Sequence, residues 1–176
     1  MRRFCTLFLV AFAGLTLSSG VSSAAQHSRS AAPCAGGGAM AWNATTATYH
    51  FRLHIGMTEK MYTPAQVKAM HPKTGEVMLG GMMNGGMAMG GGSMRHLEVQ
   101  ICSNAASRVI TNASPRIGIR DGMHSTNLPV AMMRGVGAGR NDMHYGNNTP
   151  LTAHHSITVT VKLRGETATF HVRVPN

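Results

Sequence analysis

Two short stretches hold imidazole and carboxylate groups at spacings that suit a metal ion. The first is His96-Leu97-Glu98. In a strand, residues i and i+2 share a face about 6.5–7 Å apart, so both side chains could reach one cation with slight bending. A solvated strand face carries His and Glu just as readily. The second is "NDMHYGNN", residues 141–148, which reads as a loop. Gly146 and the paired asparagines suggest a tight turn presenting His144, with Asp142 and Met143 beside it; a plain exposed turn histidine is the rival. Met132 and Met133 lie where a strand enters that loop. Neighbours in a strand face opposite ways, so one thioether packs in the core and the other is free to ligate. His154 and His155, at the start of another strand, divide in the same way, and at most one of them joins a given site.

Residues 78–94 pose a different question. Six methionines and seven glycines fill them. Glycine gives a core nothing to pack against, so Met82, Met83, Met87 and Met89 are candidate soft ligands, or the run is low-complexity sequence. Thioether and imidazole suit Cu(I). Ten histidines and 15 methionines stand against only 6 acids, which favours copper over calcium or magnesium, ions that want many oxygens. No G-x-S-x-G, H-E-x-x-H or Cys–His protease pattern is present. The few acids leave little for paired-carboxylate hydrolysis, so no catalytic activity is expected.

The elements that must hold these groups are mostly strands. In "YHFRLHIGM", Tyr49, Phe51, Leu53 and Ile55 alternate with His50, Arg52 and His54, the period of a half-buried strand. His50 and His54 then share the polar face and join the site if this strand neighbours the one holding His96. "TPAQ" carries a capping threonine, a proline at the first helical position and a glutamine that completes a capping box, which predicts a short helix over 64–70. "RHLEVQIC", "SRVITNA", "PRIGIRDG" and "LPVAMM" read as strands, with a long loop from 134 to 150. "SITVTVKL" and "TATFHVRV" alternate around "RGE" as a hairpin. About seven strands and one helix, without βαβ alternation, predict an all-β, immunoglobulin-like antiparallel β-sandwich with one short helix and a Met/Gly-rich loop.

The N-terminus reads as a secretory signal over 1–25: Arg2 and Arg3, an apolar run over 7–17, then small residues. The apolar run is too short to span a bilayer. A flexible lead-in over 26–46 and a single domain over 47–176 follow, with no transmembrane segment expected in the mature chain. Removing the two leader arginines from 16 basic residues leaves a strong excess over 6 acids. Such a surface could attract anionic polymers, but the cations are scattered, so no nucleic acid partner is expected. Cys34 and Cys102 survive processing. In an oxidising compartment such a pair forms one disulfide; two thiolate ligands are the alternative.

The ordered series "HLEVQI", "PVAMM", "MHYGNN", "HHSITVTV" resembles the periplasmic iron-transport accessory family over roughly residues 95–161. That resemblance implies an exported immunoglobulin-like protein that binds copper, assists iron uptake and forms a homodimer with metal near the subunit interface. It casts Glu98 as carboxylate ligand, His144 as imidazole ligand, Met132 or Met133 as thioether ligand and His96 as the neighbouring site histidine, with His155 and His171 as candidates for a last histidine. The chain departs from the pattern in its longer Met-to-His spacing and in lacking a proline between the two methionines. The expected function is therefore an exported, periplasmic or extracellular metal-binding protein, with copper as first cofactor and iron as second. The rival is a non-catalytic interaction module of the cell envelope with a basic surface.

Overall fold

The computed structural model describes residues 41–81 and 94–176. Residues 1–40 and 82–93 lie outside the described residues, and with them the expectation of a secretory signal and those placed on Cys34, Met82, Met83, Met87 and Met89. The described residues all belong to one compact unit, Ala31–Asn176.

They form two sheets and one short helix. The first sheet opens with β1 (Ala41–Thr45), β2 (Tyr49–Met57) and β3 (Met61–Tyr62). After the helix α1 (Pro64–Met70) come β4 (Glu76–Gly81), β5 (Met94–Ser103) and β6 (Arg108–Val109). The second sheet starts with β7 (Arg116–Asp121) and β8 (His124–Leu128). The chain returns to the first sheet through β9 (Ala131–Gly135) and β10 (His144–Pro150), then ends in the second with β11 (Ser156–Leu163) and β12 (Glu166–Arg173). The first sheet runs β1-β2-β5-β10-β9-β4-β3, with β6 beside β5; the second runs β12-β11-β7-β8. All pairs are antiparallel except β3 with β4. Among the described residues, no helix is long and apolar enough to cross a membrane.

Local signals placed several elements. Thr63 caps α1 by accepting from the Gln66 amide, Gln66 returns the bond, and His71 closes the helix in the left-handed region. The β11–β12 hairpin turns on Arg164 and Gly165, both at positive φ, as a two-residue hairpin turn requires. The sequence reading needs correcting in three places. Ala41–Thr45, assigned to the lead-in, pairs with β2 along its whole length. β4 and β8 were not foreseen as strands. Residues 144–150, read as loop, form a strand between β5 and β9.

The sandwich core fixes which way each strand faces. Phe51, Leu53, Leu97, Val99 and Tyr145 of the first sheet meet Ile117, Val159, Val161 and Phe170 of the second. A slip of one residue in β5 or β10 would expose these side chains, at about 1.5–3 kcal/mol for each large apolar group. Tyr145 is held further: its hydroxyl donates to the Ile110 carbonyl at 2.8 Å and accepts from the Ala113 amide at 2.8 Å. With Tyr145 locked inward, His144 and Gly146 must face outward.

Candidate metal centre

The outer face of the first sheet gathers polar side chains from four strands. The register sets His54 opposite Glu98, Glu98 opposite Gly146, and His96 opposite Asn148. His144 lies opposite Met133, which in turn lies opposite Met78. Glu76 enters from β4 on the same side as Met78, two residues before it. Four side chains converge: one ligand atom from each of Glu76, His96, Glu98 and His144 lies within 4.8 Å of all the others.

The contacts within this group have the size of a coordination polyhedron. His144 Nε2 stands 3.3 Å from Glu76 Oε2 and 3.3 Å from Glu98 Oε2. His96 Nε2 is 3.7 Å from Glu98 Oε2. Ligands at roughly 2.0–2.2 Å from a tetrahedral ion stand roughly 3.4 Å apart. Three of the atoms, Glu76 Oε2, His96 Nε2 and His144 Nε2, are buried without a hydrogen-bond partner. Buried polar atoms nearly always make a hydrogen bond; these three make none and face only the other charged groups of the cluster, an arrangement that a cation would complete.

Both imidazoles are held so that Nε2 is the atom offered. His144 Nδ1 is 2.7 Å from the Asp142 carbonyl, which can only accept, so Nδ1 carries the proton. Asn148 plays the same part for His96. Its amide nitrogen donates to the Glu59 carbonyl and its oxygen accepts from the Glu59 amide, so the oxygen facing His96 Nδ1 at 3.1 Å is an acceptor. Metal-binding histidines are typically anchored through the opposite ring nitrogen in this way. Gly146 permits the close approach. A Cβ there would lie 2.0 Å from the Leu97 carbonyl oxygen.

Of the expected residues, Glu98, His144 and His96 come together. His54 joins at the rim, with Nδ1 3.2 Å from Glu98 Oε1. The methionine pair splits as the strand alternation requires: Met133 shares the face of His144 and is fully buried, whereas Met132 lies opposite Tyr145 and packs against the core. Met132 is therefore corrected to a core residue. His50 bonds Thr45 and Asn43 on the β1 side instead of the cluster. His155 pairs with Asp121 of the second sheet at 3.1 Å, and His171 contacts Thr158 there; neither belongs to the cluster. Asp142 spends its carboxylate on the Gly135 amide. Cys102 is buried in β5, and its pairing with Cys34 stays a proposal. Glu76 was missed. The available signal was that one of only six acids directly precedes the Met/Gly run, in the alternating "EVML".

Burial raises the Glu98 pKa, but the His54 contact and the charges of His144 and His96 outweigh it and bring it down to about 2. Burial lowers the His144 pKa, yet contact with Glu76 and the charges of both carboxylates lift it to about 9. The signs give a stability profile for metal-free protein. The His144 contribution is full below its unfolded value near 6.5 and is lost as pH rises through about 9. The Glu98 contribution is full above 4.5 and is lost as pH falls through about 2. Urea unfolding of metal-free protein should therefore show a loss of roughly 3 kcal/mol between pH 6 and pH 10, and His144→Ala should remove most of that slope. An equal slope in the variant would show that the His144 proton plays no part.

No protein-family model, no curated protein and no solved structure matches this chain.

Proposed function

We propose that this chain is an exported metal-binding protein, with copper as its first ligand and iron as its second, and that it handles or delivers the ion and performs no catalysis. Glu76, His96, Glu98 and His144 are the ligands, His54 steadies Glu98, and Met133 offers a thioether on the same face. The observation that carries this reading is the trio of buried atoms Glu76 Oε2, His96 Nε2 and His144 Nε2, which make no hydrogen bond and belong to one cluster of possible ligand groups. Two imidazoles and two carboxylates suit a borderline divalent ion, and Cu(II) heads that affinity series. The buried Met133 and its neighbour Met78 favour copper in either oxidation state over zinc. The resemblance of "HLE" and "MHYGNN" to the iron-transport accessory family supports Glu98, His144 and His96, though not Glu76, and adds the expectation of a role in metal uptake.

Metal analysis of the full chain purified from cells, followed by Cu(II) and Cu(I) titration against a chromophoric chelator, tests it. One ion per chain is expected, with affinity falling as pH drops from about 9, because a proton must leave His144 first. Absence of stoichiometric binding, or affinity unchanged between pH 9 and pH 5, would refute histidine ligation.

A further inference from the structure

We propose that the outer face of the second sheet is a separate binding surface for an acidic polysaccharide, a chain of uronate sugars. It lies on the other side of the sandwich core from the metal centre. Val159, Ile119 and Phe170 are core residues paired with one another, so the residues between them face solvent. Three parallel rows result. In the first, Arg120 lies opposite Thr158, which lies opposite His171. In the second, Asn127, Gly118, Thr160 and Thr169 stand side by side. In the third, Arg116 lies directly opposite Lys162.

The middle row is low because Gly118 has no side chain. It forms the floor of an open hollow of about 460 Å³, walled by Arg120, Asn127, Thr158, Thr160 and His171. Arg120 lines the hollow itself; successive rows are about 6.6 Å apart, so Arg116 and Lys162, beyond the lining, stand about 13 Å from the first row. A sugar strand laid along the middle row would have threonine hydroxyls beneath it, Arg120 on one side and the Arg116–Lys162 pair on the other.

Charge complementarity names the occupant. None of the six acids of the sequence lies in these rows. Glu76, Glu98 and Asp142 are at the metal centre, and Glu59 adjoins Asn148 there. Glu166 is at the β12 start, contacting Thr48, and Asp121 ends β7 paired with His155. Arg116 and Lys162 therefore face each other as like charges with no acid in their rows, an arrangement that costs stability and that a carboxylate polymer relieves. Arginine grips carboxylates with two parallel bonds, and hydroxyls and an amide suit sugar oxygens. The rows hold no Phe, Tyr or Trp, which single-stranded nucleic acid would stack on. They hold no apolar side chain to enter a bilayer; the exposed Met123 stands alone at the β7–β8 turn.

The test is binding of full-length protein to polygalacturonate at low salt. EDTA is included so that no shared metal bridges polymer and protein. Retention is expected, with weakening as salt screens the contact, and none on neutral dextran. Gly118→Glu should weaken it at least about tenfold by filling the hollow with a like charge. Its Cβ has room, the nearest atom being Asn127 Oδ1 at 3.8 Å. Arg120→Ser, at an exposed position, should weaken it several-fold while copper stoichiometry stays unchanged, so a folding failure in one variant does not decide the result. The proposal is overturned if wild-type protein ignores polygalacturonate, if both variants bind it as wild type does, or if single-stranded DNA or anionic vesicles bind more tightly at the same face.

Discussion

Replacing His144 with Ala is expected to weaken Cu(II) binding by at least about 100-fold, the upper end of what losing a mere supporting residue does. The change removes a ligand atom, and it also unbalances the others. His144 Nε2 is the group that Glu76 Oε2 and Glu98 Oε2 both approach, each at 3.3 Å. Without it two carboxylates share a buried site with less positive charge to separate them. His54→Ala should do less, because His54 touches only the outward oxygen of Glu98. His155→Ala should do nothing, because its partner is Asp121 on the other sheet. Competition titration with a chromophoric chelator at pH 7.5 reads all three. Affinity of the His144 variant within a few-fold of wild type would mean that the ion binds elsewhere.

What the chain revealed in advance follows the range of the interactions involved. The Thr63 cap and the Arg164–Gly165 turn are settled by neighbours within four residues, so α1 and the β11–β12 hairpin were legible. The alternation in β2 and β5 gave the facing of His54, His96 and Glu98, because a strand's period is local. That His54 would lie opposite Glu98 depended on which strands pair, a long-range fact that alternation cannot supply. β10 was misread for a physical reason. Its glycine and two asparagines look like turn chemistry, yet each serves the site or its strand. Gly146 admits the Leu97 carbonyl, Asn148 holds His96, and Asn147 donates to the Pro129 carbonyl. β4 was hidden because Gly80 and Gly81 weaken any strand pattern, and Glu76 was lost with it. Three of the four residues in the cluster were thus visible as candidates from residue type and period, and the fourth required the sheet order.

Gly146→Ala should be the most damaging single-methyl change at the centre, costing about 3 kcal/mol or more and removing metal binding with it. The added Cβ would stand 2.0 Å from the Leu97 carbonyl oxygen and 2.8 Å from the Glu98 Cα. Both are backbone atoms of the adjoining strand, so no side chain can swing aside to make room. β10 would have to move away from β5. That shift would open the sheet where Tyr145 and Val99 pair and carry His144 away from Glu98. Gly118→Ala provides the comparison, since its Cβ would meet nothing closer than 3.8 Å and should change stability by less than about 1 kcal/mol. Urea unfolding of the metal-free variants measures both. If Gly146→Ala unfolds at the wild-type midpoint, the two strands are not held at this separation, and the convergence of the four ligand atoms loses its structural basis.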